Sequence, residues 1–121
     1  MAELDGKVAV ITGGASGIGE SAARLFVEEG CRVVIADMQR DRGTALAQEL
    51  GEAARFQEVE VRQEAQVKAA VDCAVDAWGR LDCMFNNAGF GGVLGPIEDI
   101  PTDDFDMTVD VLLRGVFLGM K

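Results

Sequence analysis

Lys7-Val8-Ala9-Val10-Ile11-Thr12-Gly13-Gly14-Ala15-Ser16-Gly17-Ile18-Gly19 is the stretch that decides the fold of this chain. Lys7 to Ile11 is a short run, apolar after the lysine and rich in β-branched residues, the pattern of a strand buried on both faces. It breaks into glycines, and helical spacing begins at Gly17. Ile18, Ala22, Leu25 and Phe26 fall on one expected inward face, and Gly30 follows Glu29 where a left-handed C-terminal cap is wanted. A glycine turn between strand and helix suits a pyrophosphate. The backbone must turn tightly, approach the phosphates without a Cβ in the way, and let the helix pack close to the sheet; Gly13, Gly17 and Gly19 are the candidates for these tasks. The helix start offers unpaired N–H groups and a positive dipole end, and Ser16 adds a hydroxyl donor. No lysine follows in Gly-Lys-Ser/Thr order, which separates this turn from the phosphate loop of nucleotide hydrolases.

Arg32 to Ala36 reads as a second strand, with Asp37 at its end, close to the spacing of about 20 residues at which a carboxylate accepts hydrogen bonds from an adenosine ribose. Such an acid favours NAD over NADP, because a 2′-phosphate would meet a like charge and the turn carries no compensating base. Arg40 and Arg42 read as solvated helix-surface residues. A helix starting at Asp41 or a neighbour runs through Ala45, Leu46 and Leu50 to Gly51. A third strand follows near Arg55 to Val61, then a helix from about Glu64 to Trp78, with Val67, Ala70, Val71, Ala74 and Val75 inward and Gly79 as its stop. Leu81 to Phe85 is the fourth strand. This alternation predicts one α/β domain over residues 1–121, with a parallel sheet, right-handed crossovers and helices on both faces.

Residues 88–101 form one long irregular segment containing Gly89, Gly91, Gly92, Gly95, Pro96 and Pro101, and loops of that length tend to carry function. Its apolar residues Phe90, Val93, Leu94 and Ile97 have two readings, one wall of a pocket for an apolar substrate or packing against the terminal helix. Thr102 reads as an N-cap ahead of Asp103 and Asp104. Phe105 to Lys121 is helical in period but apolar on more than one face. Such a helix must be covered, by more of its own chain or by another subunit.

The formal net charge of −10 argues against nucleic acid or an anionic membrane surface as a partner. Met1-Ala2-Glu3-Leu4-Asp5 lacks the basic and apolar regions of a leader, no apolar run is long enough to span a bilayer, and a cytoplasmic location is the expectation. Cys31, Cys73 and Cys83 are too few and too scattered for a disulfide framework and read as small buried side chains. With no histidine and no Cys-x-x-Cys pair, no metal site and no histidine base are expected.

With Asn86-Asn87-Ala88-Gly89 after the fourth strand, the chain resembles the short-chain dehydrogenase/reductase family, in which a Thr-Gly-x-x-x-Gly-x-Gly turn and an Asn-Asn-Ala-Gly motif occur together on a Rossmann-like sheet. The resemblance implies a three-layer fold with strand order 3-2-1-4 here, cut before a fifth strand. It implies Ile18 near the pyrophosphate, Asp37 and Met38 at the adenosine ribose, and Asn87, Ala88 and Gly89 along the cofactor's ribose side, with Asn86 structural. Glu60-Val61 stands where the family has an Asp and an apolar residue at the adenine. Leu112, ahead of Leu113-Arg114-Gly115, occupies the place of the asparagine in the family's catalytic tetrad. The other members, a serine and a Tyr-x-x-x-Lys, would lie past Lys121, and the chain has no tyrosine, so no catalytic residue is assigned within it. The resemblance further implies an NAD-dependent oxidoreductase of secondary alcohols and ketones, assembled as a dimer or tetramer through the last helix, of which these residues are the cofactor-binding half, inactive alone. The alternatives are a non-enzymatic nucleotide-binding or oligomerisation module, and a Rossmann-like domain with no ligand.

Overall fold

A computed structural model describes residues 3–121; Met1 and Ala2, read above as part of a non-leader N-terminus, lie outside the described residues. Four strands, β1 (Val8–Thr12), β2 (Arg32–Asp37), β3 (Ala54–Glu58) and β4 (Cys83–Phe85), alternate with helices α1 (Gly17–Glu28), α2 (Arg40–Leu50) and α3 (Glu64–Trp78). All pairings are parallel and the order is β3-β2-β1-β4, as the resemblance implied. After β4 the chain runs irregularly to α4 (Thr102–Val109), which continues through a π-helical turn, Asp110–Arg114, into α5 (Gly115–Met120).

Alternation along the central strands makes two cores, because successive side chains leave a strand on opposite faces. Val8, Val10, Val34 and Ala36 pack with Val67, Ala70 and Ala74 of α3 and Leu118 of α5. Ala9, Ile11, Val33 and Ile35 pack on the other face with Ala23 of α1 and Leu46 of α2. Each fully buried Val or Ile contributes about 1.5–3 kcal/mol. The two central strands are therefore a rigid platform, and the loops at their C-terminal ends sit on it.

Several expectations are corrected. On α1, Ile18 and Leu25 are 74% and 54% exposed, while Gly19 and Ala23 face the sheet. The buried face is centred on Gly19 and Ala23, with the expected Ala22 and Phe26, and Val27, packed partly buried beside them, and Ile18 and Leu25 fall outside it. On α3, Val75, expected inward, is exposed. β3 ends at Glu58 rather than Val61, because its partner β2 ends at Asp37 in register with it; Val59 and Val61 beyond it are buried in the core with Val67 and Ala70 of α3. β4 begins at Cys83 rather than Leu81. Pro101, not Thr102, is the N-cap of α4: its extended backbone turns its carbonyl to accept from the N–H groups of Asp104 and Phe105. Cys31 is buried and Cys73 half-buried, but Cys83 is exposed because β4 pairs only with β1. The last helix is not uniform, since the π turn inserts a wider coil around Leu112. Among the described residues no helix is long and apolar enough to cross a membrane.

Candidate functional site

The glycine turn is built by backbone demands. Gly13 has φ +65° and Gly17 φ +56°, a region open to glycine at little cost. Gly19 serves by closeness instead: a Cβ there would lie 2.1 Å from the Gly13 carbonyl oxygen. Ser16 precedes α1 in extended conformation and makes no capping hydrogen bond to the helix, so the first-turn N–H groups keep no side-chain acceptor.

Two side chains lock this turn to its neighbours. Thr12 Oγ1 accepts from the N–H groups of Asn87 (3.0 Å) and Ala88 (3.1 Å) and donates to the Phe85 carbonyl (3.4 Å). Asn87 Nδ2 donates to the carbonyls of Thr12 (3.1 Å) and Gly13 (3.2 Å), tying the end of β4 to the turn. Asp37, 8% exposed, accepts from Ala15 N–H at Oδ2 (3.0 Å) and from Gln39 N–H at Oδ1 (2.9 Å). Gln39 Nε2 reaches both Ser16 Oγ (3.3 Å) and Asp37 Oδ1 (3.4 Å). The carboxylate is thus fixed in orientation at the C-terminal edge of the sheet. Asn86 sits apart, with its buried Oδ1 against Gly119 and no partner among the described residues.

A cleft of about 750 Å³ opens over these groups. Of the expected residues, Gly13, Ser16, Gly17, Ile18, Asp37, Met38, Glu60, Val61, Asn87, Ala88 and Gly89 line it; Gly19 lies beneath, packing α1 on the turn. The exposed Ile18 is explained by this position, since it faces the cleft instead of the core. Residues not anticipated are Gln39, Val59, Arg62, Met107 and Val111, while Phe90, read either as a pocket wall or as packing on the terminal helix, lines the cleft. Gln39 and Arg62 stand two positions after the two acids, a local signal that a search for their hydrogen-bond partners could have used. Phe90, Met107 and Val111 come from the long loop and α4–π, and only the tertiary fold brings them to the cleft. Of the loop's other apolar residues, Val93, Leu94 and Ile97 are exposed rather than packed on the terminal helix, while Gly92 lies against Thr108 of α4.

The chemistry of this wall suits a dinucleotide. Glu60 Oε1 accepts from Arg62 Nε (2.9 Å), while Glu60 Oε2 is buried with no partner among the described residues, an acceptor left for a donor such as an exocyclic amine. Open space above Gly17, where a Cβ would meet nothing within 4 Å, faces the N-terminus of α1. At the other end Leu112 packs its Cδ2 over Gly89, 3.0 Å from where a Cβ would stand. A leucine there supplies apolar contact and no side-chain hydrogen bond.

Comparison with known proteins agrees with this geometry. A profile described as short chain dehydrogenase matches residues 7–121. The chain is 51% identical over 124 residues to "Momilactone A synthase" of Oryza sativa subsp. japonica, covering 98% of this chain and 44% of that protein. It is 48% identical over 122 residues to "Borneol dehydrogenase, mitochondrial" of Lavandula x intermedia, covering 100% of this chain and 46% of that one. It is 47% identical over 118 residues to the "3-alpha-(or 20-beta)-hydroxysteroid dehydrogenase" of Mycobacterium tuberculosis, covering 98% and 45%. The crystal structure of 3-ketoacyl-(acyl-carrier-protein) reductase from Brucella melitensis complexed with NADH superimposes with a TM-score of 0.93 at 40% identity, over 98% of this chain and 48% of that one. The chain spans about half the length of the curated relatives it matches. With the profile matching residues 7–121, which include every strand of the sheet, and relatives about half identical over 98% of this chain or more, the chain belongs to the short chain dehydrogenase family.

Proposed function

We propose that residues 1–121 are one dinucleotide-binding domain, the cofactor half of an NAD-dependent oxidoreductase that interconverts a secondary alcohol and a ketone. The observation that carries this reading is the fixed Asp37 carboxylate beside the glycine turn, on the wall of a cleft lined by the motif residues. Gly13, Ser16, Gly17, Ile18 and Gly19 take the pyrophosphate, Asp37 and Met38 the adenosine ribose, Glu60 and Val61 the adenine, and Asn87, Ala88 and Gly89 the nicotinamide-side ribose. NAD is favoured over NADP because both nearby arginines are engaged, Arg40 with Glu58 (2.8 Å) and Arg42 with Glu20 (3.4 Å). The chemistry supplied by bound NAD is hydride exchange with the substrate carbon. These residues bind and orient; Leu112 holds no proton, so proton transfer falls to groups outside the 121 residues, which alone are inactive. The dehydrogenase and reductase names of the relatives support the reaction class.

The apolar residues Phe105, Leu113, Phe117 and Met120, all exposed, support assembly with further copies through the last helix. The same exposure favours, as the second reading, a non-enzymatic nucleotide-binding module that self-associates. Three free cysteines support a reducing, cytosolic setting.

Calorimetric titration of the protein and of Asp37→Ala with NAD and NADP tests the reading. Two charge-assisted hydrogen bonds lost to the ribose predict NAD binding weaker by about tenfold or more, with NADP binding tightened because the carboxylate that would repel its 2′-phosphate is gone. Because Asp37 also holds the Ala15 N–H, the NADP-to-NAD affinity ratio is the readout, since damage to the turn weakens both alike. No binding of NAD, or an unchanged ratio, overturns the assignment. NAD binding with self-association, but no NADH formed from any secondary alcohol by the protein in its full length, favours the second reading.

A further inference from the structure

The NAD preference proposed above rests on Asp37, but the structure places a second carboxylate beside it. Glu58 is the register partner of Asp37 on the neighbouring strand, so the two acids end adjacent strands side by side. Where Asp37 turns to the glycine loop, Glu58 Oε2 takes the Arg40 guanidinium at 2.8 Å. Arg40 is the first residue of α2, three positions past Asp37. Glu58 and Arg40 line a second, open cavity of about 770 Å³ with Met38 and Glu60, and those two residues also line the cofactor cleft, so the cavities adjoin at the adenosine end. An arginine so placed is the natural partner for a phosphate added to that ribose. It is held on the edge of the sheet instead.

We infer that Glu58 is a specificity residue that acts through Arg40: it withholds the cation at the start of α2, three positions past Asp37, so that exclusion of a 2′-phosphate is shared between Asp37 and the Glu58–Arg40 pair. The inference rests on the proposed function. Both side chains are exposed, so the pair is weak and salt-sensitive, and its release has a modest effect. Asp37 needs no help to bind NAD. Glu58 therefore affects NADP alone.

The test is calorimetric titration of NAD and NADP into the unmodified protein, Glu58→Gln, Arg40→Ala and the double variant, each also in an Asp37→Ser background that brings NADP into a measurable range. Thermal melts verify that the edge substitutions leave the fold intact. Glu58→Gln is expected to tighten NADP about threefold to tenfold and to leave NAD within about twofold. The gain should shrink as salt is raised and vanish when Arg40→Ala is added. An unchanged NADP-to-NAD ratio in Glu58→Gln, or a gain that survives Arg40→Ala, overturns the inference while leaving the cofactor reading standing. Failure of the unmodified protein to bind NAD overturns both.

Discussion

Adding one methyl group at Gly19 tests the central construction of the site. A Cβ there would sit 2.1 Å from the Gly13 carbonyl oxygen, 2.8 Å from its carbon and 2.7 Å from Asn87 Nδ2. Two of these atoms are backbone, so no rotamer change relieves the clash. Either the turn moves away from α1 or the Asn87 amide gives up a contact with the Thr12 or Gly13 carbonyl. Overpacking of this kind costs about 1–3 kcal/mol, and a lost neutral hydrogen bond adds about 0.5–1.5 kcal/mol. Alanine returns at most about 1 kcal/mol of helix propensity. The net expectation for Gly19→Ala is a loss of about 0.5–3.5 kcal/mol, centred near 2 kcal/mol. Gly17→Ala is the control, for a Cβ there meets nothing within 4 Å and only its φ of +56° is strained. It should cost about 1–2 kcal/mol. Urea unfolding followed by the fluorescence of the single tryptophan, Trp78, measures both. In an Asn87→Ala background the penalty at Gly19 should shrink, because one of the clashing atoms is gone and the two sites share a contact. A Gly19→Ala protein as stable as the unmodified one, or full additivity with Asn87→Ala, would refute the close-packing argument.

Two further outcomes follow from charge and burial. The Asp82 carboxylate is held below the usual carboxylate range by Arg80 and by the Val8 N–H it accepts from. Its stabilisation is therefore present above the unfolded pKa and is lost as pH falls through the folded one. Asp82→Asn should melt lower than the unmodified protein at neutral pH, and the gap should close below about pH 4; a gap constant with pH contradicts the assignment. Among the thiols, burial pushes Cys31 up to about 11, with the Cys83 thiol contributing, whereas Cys83 lies exposed on the edge strand. A thiol-reactive disulfide at pH 8 should modify Cys83 well before Cys31, as peptide mapping would reveal. Equal labelling of the two in the native protein would contradict their placement.

Much of the site was legible because its determinants are local. Gly13 and Gly17 announce themselves by the backbone they permit, and Asp37 by its place at the end of a β-branched run. The acid is found by counting from the turn. Less legible were the partners. Asn87 faces the cleft as expected, yet its amide is spent on the Thr12 and Gly13 carbonyls, and nothing in the motif itself reveals those acceptors. Ile18 and Leu25 have helical spacing with Ala22 and Phe26, but periodicity gives a face of the helix without its distance from the sheet. The close approach at Gly19 centres the buried face on Gly19 and Ala23, with Ala22 and Phe26 at its flank and Ile18 and Leu25 outside it.

The sequence by itself determined the alternation of strand and helix, the parallel sheet and the glycine turn, because hydrophobic period and backbone freedom act between residues a few positions apart. It also marked the residues at the strand ends that line the cleft. Only the tertiary structure decided which side of α1 is buried, that the far wall is made by Phe90, Met107 and Val111, and that a π turn carries Leu112 over Gly89. It alone set Glu58 beside Asp37 with Arg40 in hand. Those arrangements depend on strand register and on how closely helices approach the sheet, quantities summed over contacts distant in sequence, which no local pattern encodes.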